Sequence, residues 1–140
     1  MEQGDLATWT QPRLVIVLEG VLAHIRADVS GGFPHFRGKK VVLSYHWLPT
    51  PIKRVRYLKD RYPDTRIDII TFVSQEAADE AASFFDTAEI PVSSVTYRPF
   101  DRWVDEIKWQ PDIQTIYDSD VGRVTLYGQR GYIVRKGEDF

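Results

Sequence analysis

The chain of 140 residues has no cysteine. That absence excludes a disulfide framework, a thiolate zinc site and a thiol nucleophile, and it suits a cytoplasmic protein. Long apolar runs are missing too. No stretch approaches the roughly 18 residues that cross a bilayer, so no membrane span is expected. The segment 1–12 is polar, carries Glu2 and Asp5, and lacks the basic and apolar parts of a signal peptide. It reads as a loose lead-in whose one anchor is Trp9. An excess of either charge is absent as well. With 18 Lys and Arg against 20 Asp and Glu, the net charge of −2 argues against a protein that coats nucleic acid over its whole surface. No internal repeat or low-complexity tract is visible.

What remains is an ordinary globular composition, 43% hydrophobic and 27% charged. Its length suits one domain over residues 13–140, able to bury roughly 70% of its unfolded surface. The run Leu14 to Leu18 is continuously apolar rather than alternating, the mark of a central parallel strand covered on both faces. Ala23 to Ser30, a Gly31-Gly32 turn and Lys40 to His46 read as a β-hairpin. Thr50 as N-cap and Pro51 at the first position open a helix with Ile52, Val55, Leu58 and Tyr62 on its apolar face. Arg66 to Val73 is a second core strand. Ser74 caps the next helix, in which Ala78, Ala81, Ala82 and Phe85 recur at helical spacing. Val92 to Tyr97 is a third strand, and Phe100, Trp103, Val104 and Ile107 mark a third helix. Ile113 to Tyr117 is a fourth strand, Val121 to Tyr127 a short helix, and Tyr132 to Arg135 a last strand. Strands that alternate with helices give an α/β fold with a mostly parallel sheet, so the strand carboxyl ends share one edge, where such sheets bind ligands. Three strands run into polar groups there: Glu19, Thr71 and Asp118.

The first strand and its sequel, Leu14-Val-Ile-Val-Leu-Glu-Gly-Val-Leu22, resemble the first motif of haloacid dehalogenase-like (HAD-like) phosphohydrolases, a hydrophobic strand running into Asp-x-Asp-Gly-Thr/Val. Aligned on Gly20-Val21-Leu22, Glu19 falls on the family's acid/base and Val17 on its nucleophile. Ile69-Ile70-Thr71 is similar to the second motif, where a hydroxyl holds phosphate, with Ser74 as the rival. The third motif's cation corresponds to Arg98 or Lys108. Ile116-Tyr117-Asp118-Ser119-Asp120 is similar to the fourth motif, whose acids hold Mg²⁺. The resemblance implies a Rossmannoid three-layer sandwich with a β-hairpin flap. It also implies no large cap, because the hairpin and one helix fill most of the chain between the first two motifs. It implies Asp118, Asp120 and Glu19 as metal ligands, with weak or no Mg²⁺ binding because Val17 removes one carboxylate. Valine has no lone pair to attack phosphorus, and Glu19 is one methylene longer than aspartate.

Each feature also has a plainer reading. Glu19-Gly20 can be a strand-ending turn, Thr71 a β-branched strand residue, Arg98 an exposed loop residue, and Asp118-Ser119-Asp120 a helix N-cap. His24, His35 and His46 stand eleven apart, and the hairpin would set His24 opposite His46, a two-ligand beginning of a zinc site without an evident third. The run Lys53 to Arg61 is basic with interleaved tyrosines. It can follow nucleic-acid phosphates, but its helical spacing favours a solvated helix face. Trp47, Trp103 and Trp109 read as core or crevice rim. The functional expectation is therefore a catalytically degenerate HAD-like domain that binds a phosphorylated small molecule or a protein partner with little or no turnover. The alternatives are an Mg²⁺-dependent phosphatase using Glu19 and a protein-interaction module with relic motifs.

Overall fold

A computed structural model describes residues 13–30 and 40–135. The lead-in 1–12 with Trp9, the Gly31-Gly32 turn and His35 lie outside the described residues. The central strand is β1 (Arg13–Val17), as its unbroken apolar run requires. The hairpin strands β2 (Ala23–Ser30) and β3 (Lys40–Trp47) follow it and form a separate antiparallel sheet. β1 pairs in parallel with β4 (Arg66–Thr71) on one side and, beyond the helical segments, with β6 (Ile113–Asp118) on the other. β5 (Ser94–Tyr97) lies outside β4, and β7 (Gly131–Ile133) lies outside β6. All pairings in this five-stranded sheet are parallel.

Successive β1 side chains enter two cores, as strand alternation demands. Ile16 and Leu18 join Ile67 and Ile69 on one face, under α1 (Pro49–Arg61) and α2 (Gln75–Thr87), which contribute Val55, Ala77, Ala81 and Phe85. Val15 and Val17 join Ile70 and Ile116 on the other, under α3 (Phe100–Glu106), the 3₁₀ turn Ile107–Trp109 and α4 (Val121–Tyr127). Those helices supply Trp103, Ile107 and Tyr127. Each large aliphatic side chain so buried contributes roughly 1.5–3 kcal/mol. The hairpin is tied down by Trp47, whose ring stacks on Phe84 of α2 at 3.8 Å and meets Phe85 edge-on.

Several local expectations need correction. α1 begins at Pro49 with Leu48 as an extended N-cap, so Thr50 is helical and caps nothing. Pro49 already supplies the preset φ and missing N–H that suit a first helical position. Tyr62 lies past the helix and is half exposed. Ser74 caps α2 as expected, its hydroxyl accepting from the Ala77 amide at 3.1 Å. Trp103 is buried and Trp47 partly so, but Trp109 is 83% exposed because it sits on the outer side of a 3₁₀ turn rather than on a continued helix.

Candidate functional site

At the carboxyl edge of the sheet the chain leaves β1 through a tight hydrogen-bonded turn. The amides of Leu22 and Ala23 donate to the Leu18 carbonyl at 3.0 and 3.1 Å. Gly20 makes this turn possible, with φ at +87°, and a β-carbon there would lie 2.0 Å from Ser119 Oγ. Only glycine lets the loops after β1 and β6 approach so closely. Two carboxylates are thereby brought to one edge, and each is engaged within the protein.

Glu19 faces β4. Its Oε1 accepts from the Thr71 hydroxyl at 2.7 Å and its Oε2 from the Phe72 amide at 2.9 Å. Thr71 is fully buried, and its oxygen also accepts from the Val73 amide at 3.1 Å. Two of the residues singled out from sequence are therefore in direct contact. The contact ties the end of β1 to the turn after β4, and it spends the Thr71 hydroxyl that a phosphate would need.

Asp118 ends β6 with no solvent exposure. A buried carboxylate is stable only when paired and hydrogen-bonded, and here four donors reach it. Arg123 grips it in bidentate fashion, Nε to Oδ2 at 2.7 Å and Nη2 to Oδ1 at 2.8 Å. The Tyr127 hydroxyl donates to Oδ2 at 2.8 Å, and the Asp120 amide to Oδ1 at 3.1 Å. The hydrogen bonds to Asp118 hold the Arg123 guanidinium charged well above the usual arginine range. Burial, then the Asp118 charge, pushes the Tyr127 phenol far up. Arg123 also lies over the Phe72 ring at 5.0 Å and near Phe100 at 5.9 Å, within the range of cation–π attraction. Phe72 and Phe100 meet edge-to-face at 5.1 Å, and both pack on the cluster that holds Val17, which is fully buried. The position aligned with the nucleophile thus lies inside an aromatic core.

The other candidates divide. Asp120 caps α4, its Oδ1 accepting from the Arg123 amide at 2.9 Å, so the capping reading describes Asp120. Arg98 follows β5 at the same edge, its amide donating to the Thr71 carbonyl, but its guanidinium turns to Glu106 at 3.2 Å. Lys108 stands apart: it sits on the 3₁₀ turn two residues before Gln110, whose side chain meets Arg13 at the start of β1, so it belongs to the amino edge. There it pairs with Asp105 at 3.4 Å. Ser74 is committed to its helix cap. His24 and His46 do face each other, with rings parallel at 6.2 Å. Among the described residues no group of three His, Asp or Glu side chains is placed to hold a metal ion.

The fit to Mg²⁺ follows from this donor set. Asp118 is saturated, Asp120 caps a helix, Glu19 is held by Thr71 and Phe72, and position 17 has no oxygen. As arranged, these residues do not fit a resident magnesium ion, which needs several free oxygens in octahedral array. No motif in the sequence singles out Arg123 or Tyr127. A signal for Arg123 exists: a cation in the first turn of a helix opposes the helix dipole, so its presence there asks for an anion nearby. The chain matches no protein-family model and no curated protein sequence.

Proposed function

We propose that this chain is a catalytically degenerate HAD-like domain that works by binding a phosphorylated ligand or a protein partner, with little or no turnover. The resemblance of its motifs supports the family reading, as do the central first strand and the hairpin that follows it directly. One observation carries the functional reading: the buried Asp118 carboxylate already has its counter-cation in Arg123. A phosphohydrolase needs that charge free to bind a metal and offset phosphate. Here the chain supplies the neutralising cation covalently, in a geometry locked by Tyr127 and Phe72. Without an in-line carboxylate at position 17 no covalent phosphoryl intermediate can form there. The enclosed aromatic surroundings of Val17 favour motifs retained for the fold over motifs retained for chemistry.

The test is a pair of measurements on the natural chain. p-Nitrophenyl phosphate with Mg²⁺ should give no hydrolysis above background. Amide NMR during Mg²⁺ titration should leave the signals of residues 17–20 and 118–120 unmoved, whereas orthovanadate alone should shift signals at the carboxyl edge where the occupant is phosphorylated and leave them in place where it is a protein partner. Robust Mg²⁺-dependent turnover that Glu19→Gln abolishes would replace this reading with a working phosphatase.

A further inference from the structure

The face of α1 turned away from the core carries a cationic and aromatic surface that uses none of Glu19, Thr71 and Asp118. Thr50, Lys53, Arg54 and Tyr57, spaced three or four apart across two turns, line a groove of about 310 Å³. α1 has five cations and a single acid, Asp60. Two of those cations are spent on carbonyls: Arg56 on Ala88, and Lys59 on Pro63 and Thr65. Lys53 and Arg54 take part in none of the ion pairs among the described residues. The Arg54 guanidinium lies 5.3 Å from the centre of the Tyr57 ring, and its buried Nε has no hydrogen-bond partner.

The sheet adds aromatic surface on the same side. Tyr117 of β6 packs on the core cluster beneath α1. Its ring lies 5.3 Å from that of Tyr132 on β7. Tyr117 and Tyr132 are register partners on β6 and β7, and Val55 of α1 belongs to the cluster on which Tyr117 packs, so the two rings share the sheet face that α1 covers. Tyr57 and Tyr132 keep 49% and 48% of their surface exposed. One half-exposed ring, Tyr57, thus lines the groove with two cations that make no ion pair among the described residues, and a second, Tyr132, is open on the same face of the sheet.

We propose that this face of the molecule binds single-stranded nucleic acid, with Lys53 and Arg54 of the groove on phosphates, and Tyr57 together with the exposed Tyr132 of β7 stacking on unpaired bases. Stacking platforms beside a cationic track are how unpaired strands are held without reading sequence. A duplex keeps its bases stacked on each other and offers these tyrosines nothing. The net charge of −2 remains compatible, because the proposal needs a local patch and not a basic protein. It stands independently of the reading of the Asp118 edge, since the groove uses none of those residues.

Fluorescence anisotropy with a labelled oligouridine of about twelve nucleotides tests this on the whole chain. Affinity should fall between about 50 and 200 mM salt, with a slope near −1.4 for two phosphates. Lys53→Gln should reduce the slope by about 0.7. Tyr57→Ala and Tyr132→Ala should each weaken binding about tenfold with the slope unchanged. Arg102→Gln removes one exposed charge from α3 on the opposite face and should change nothing. Circular dichroism confirms that each variant is folded. The proposal is overturned if the oligonucleotide does not bind, or if duplex, polyphosphate or phosphatidylserine vesicles bind as well as it does. Tyrosine variants that bind like the natural chain would overturn it too.

Discussion

Tyr127 donates to the same carboxylate oxygen that Arg123 Nε grips, so its proton is part of how Asp118 stays charged inside the protein. The phenol's pKa is raised above its ordinary 10.0 in the folded state. A raised value means that its contribution is fully present below pH 10 and is lost as pH climbs toward the folded value. Tyr127→Phe should therefore cost about 1.5–3 kcal/mol at neutral pH, the worth of a hydrogen bond to a charged group. It should also make the alkaline decline above pH 10 shallower. Part of that decline will persist, because Tyr45 and Tyr117 are shifted the same way. Urea unfolding at pH 7 and at several values above 10 measures both effects, and parallel declines in the two proteins would count against the assignment. Val17 poses the complementary case. Val17→Asp would put a carboxylate at a fully buried position of the cluster that also holds Ile70, Trp103 and Ile116. We expect a loss of about 3 kcal/mol or more and no gain of p-nitrophenyl phosphate hydrolysis. An unchanged urea midpoint would show that the strand end is more open than its burial indicates.

Between elements, the closest constraint is the meeting of the two loops that leave β1 and β6. Gly20→Ala would set its new methyl on Ser119 Oγ and force an L side chain to φ +87°. The combined cost should be about 2–4 kcal/mol. Adding Ser119→Gly removes the collision and should recover part of the loss, leaving about 1–2 kcal/mol of backbone strain. Thermal unfolding of the two variants separates the terms; equal stability of single and double variants would mean that the loops move apart freely. Elements of this kind were legible where pattern was strong. The apolar run of β1, the helical spacing of Ala78, Ala81 and Phe85 and the capping serine before α2 each describe what formed. Boundaries failed where two punctuators compete: Pro49 and Pro51 both suit a first turn, and nothing local says that the earlier one is used. Arg123 and Tyr127 could not be assigned to Asp118 by pattern, because the pairing depends on how a seven-residue helix folds back on its own strand.

Over the whole molecule, the sheet order explains what the sequence could and could not disclose. Centrality of β1 follows from five consecutive buried residues, Leu14 to Leu18, which only a strand covered on both faces tolerates. Which polar groups meet at the carboxyl edge follows only once β4 and β6 are known to flank β1; that joined Glu19 to Thr71 and left Lys108 at the opposite edge. The same order sets stability by region. Amide hydrogen exchange should be slowest in β1 and its two neighbours. It should be faster by orders of magnitude in the hairpin, whose two strands pair in a sheet only with each other among the described residues. Uniform protection across both sheets would mean that the hairpin opens only with the whole fold. Last, consider how the large sheet ends. Its outer strands are four residues on one side and three on the other. A second molecule seeking to extend the ladder would find a template of a few rungs, too short to seed a growing fibre. The brevity of β5 and β7 therefore leaves the large sheet almost no border on which a second copy could lay a strand.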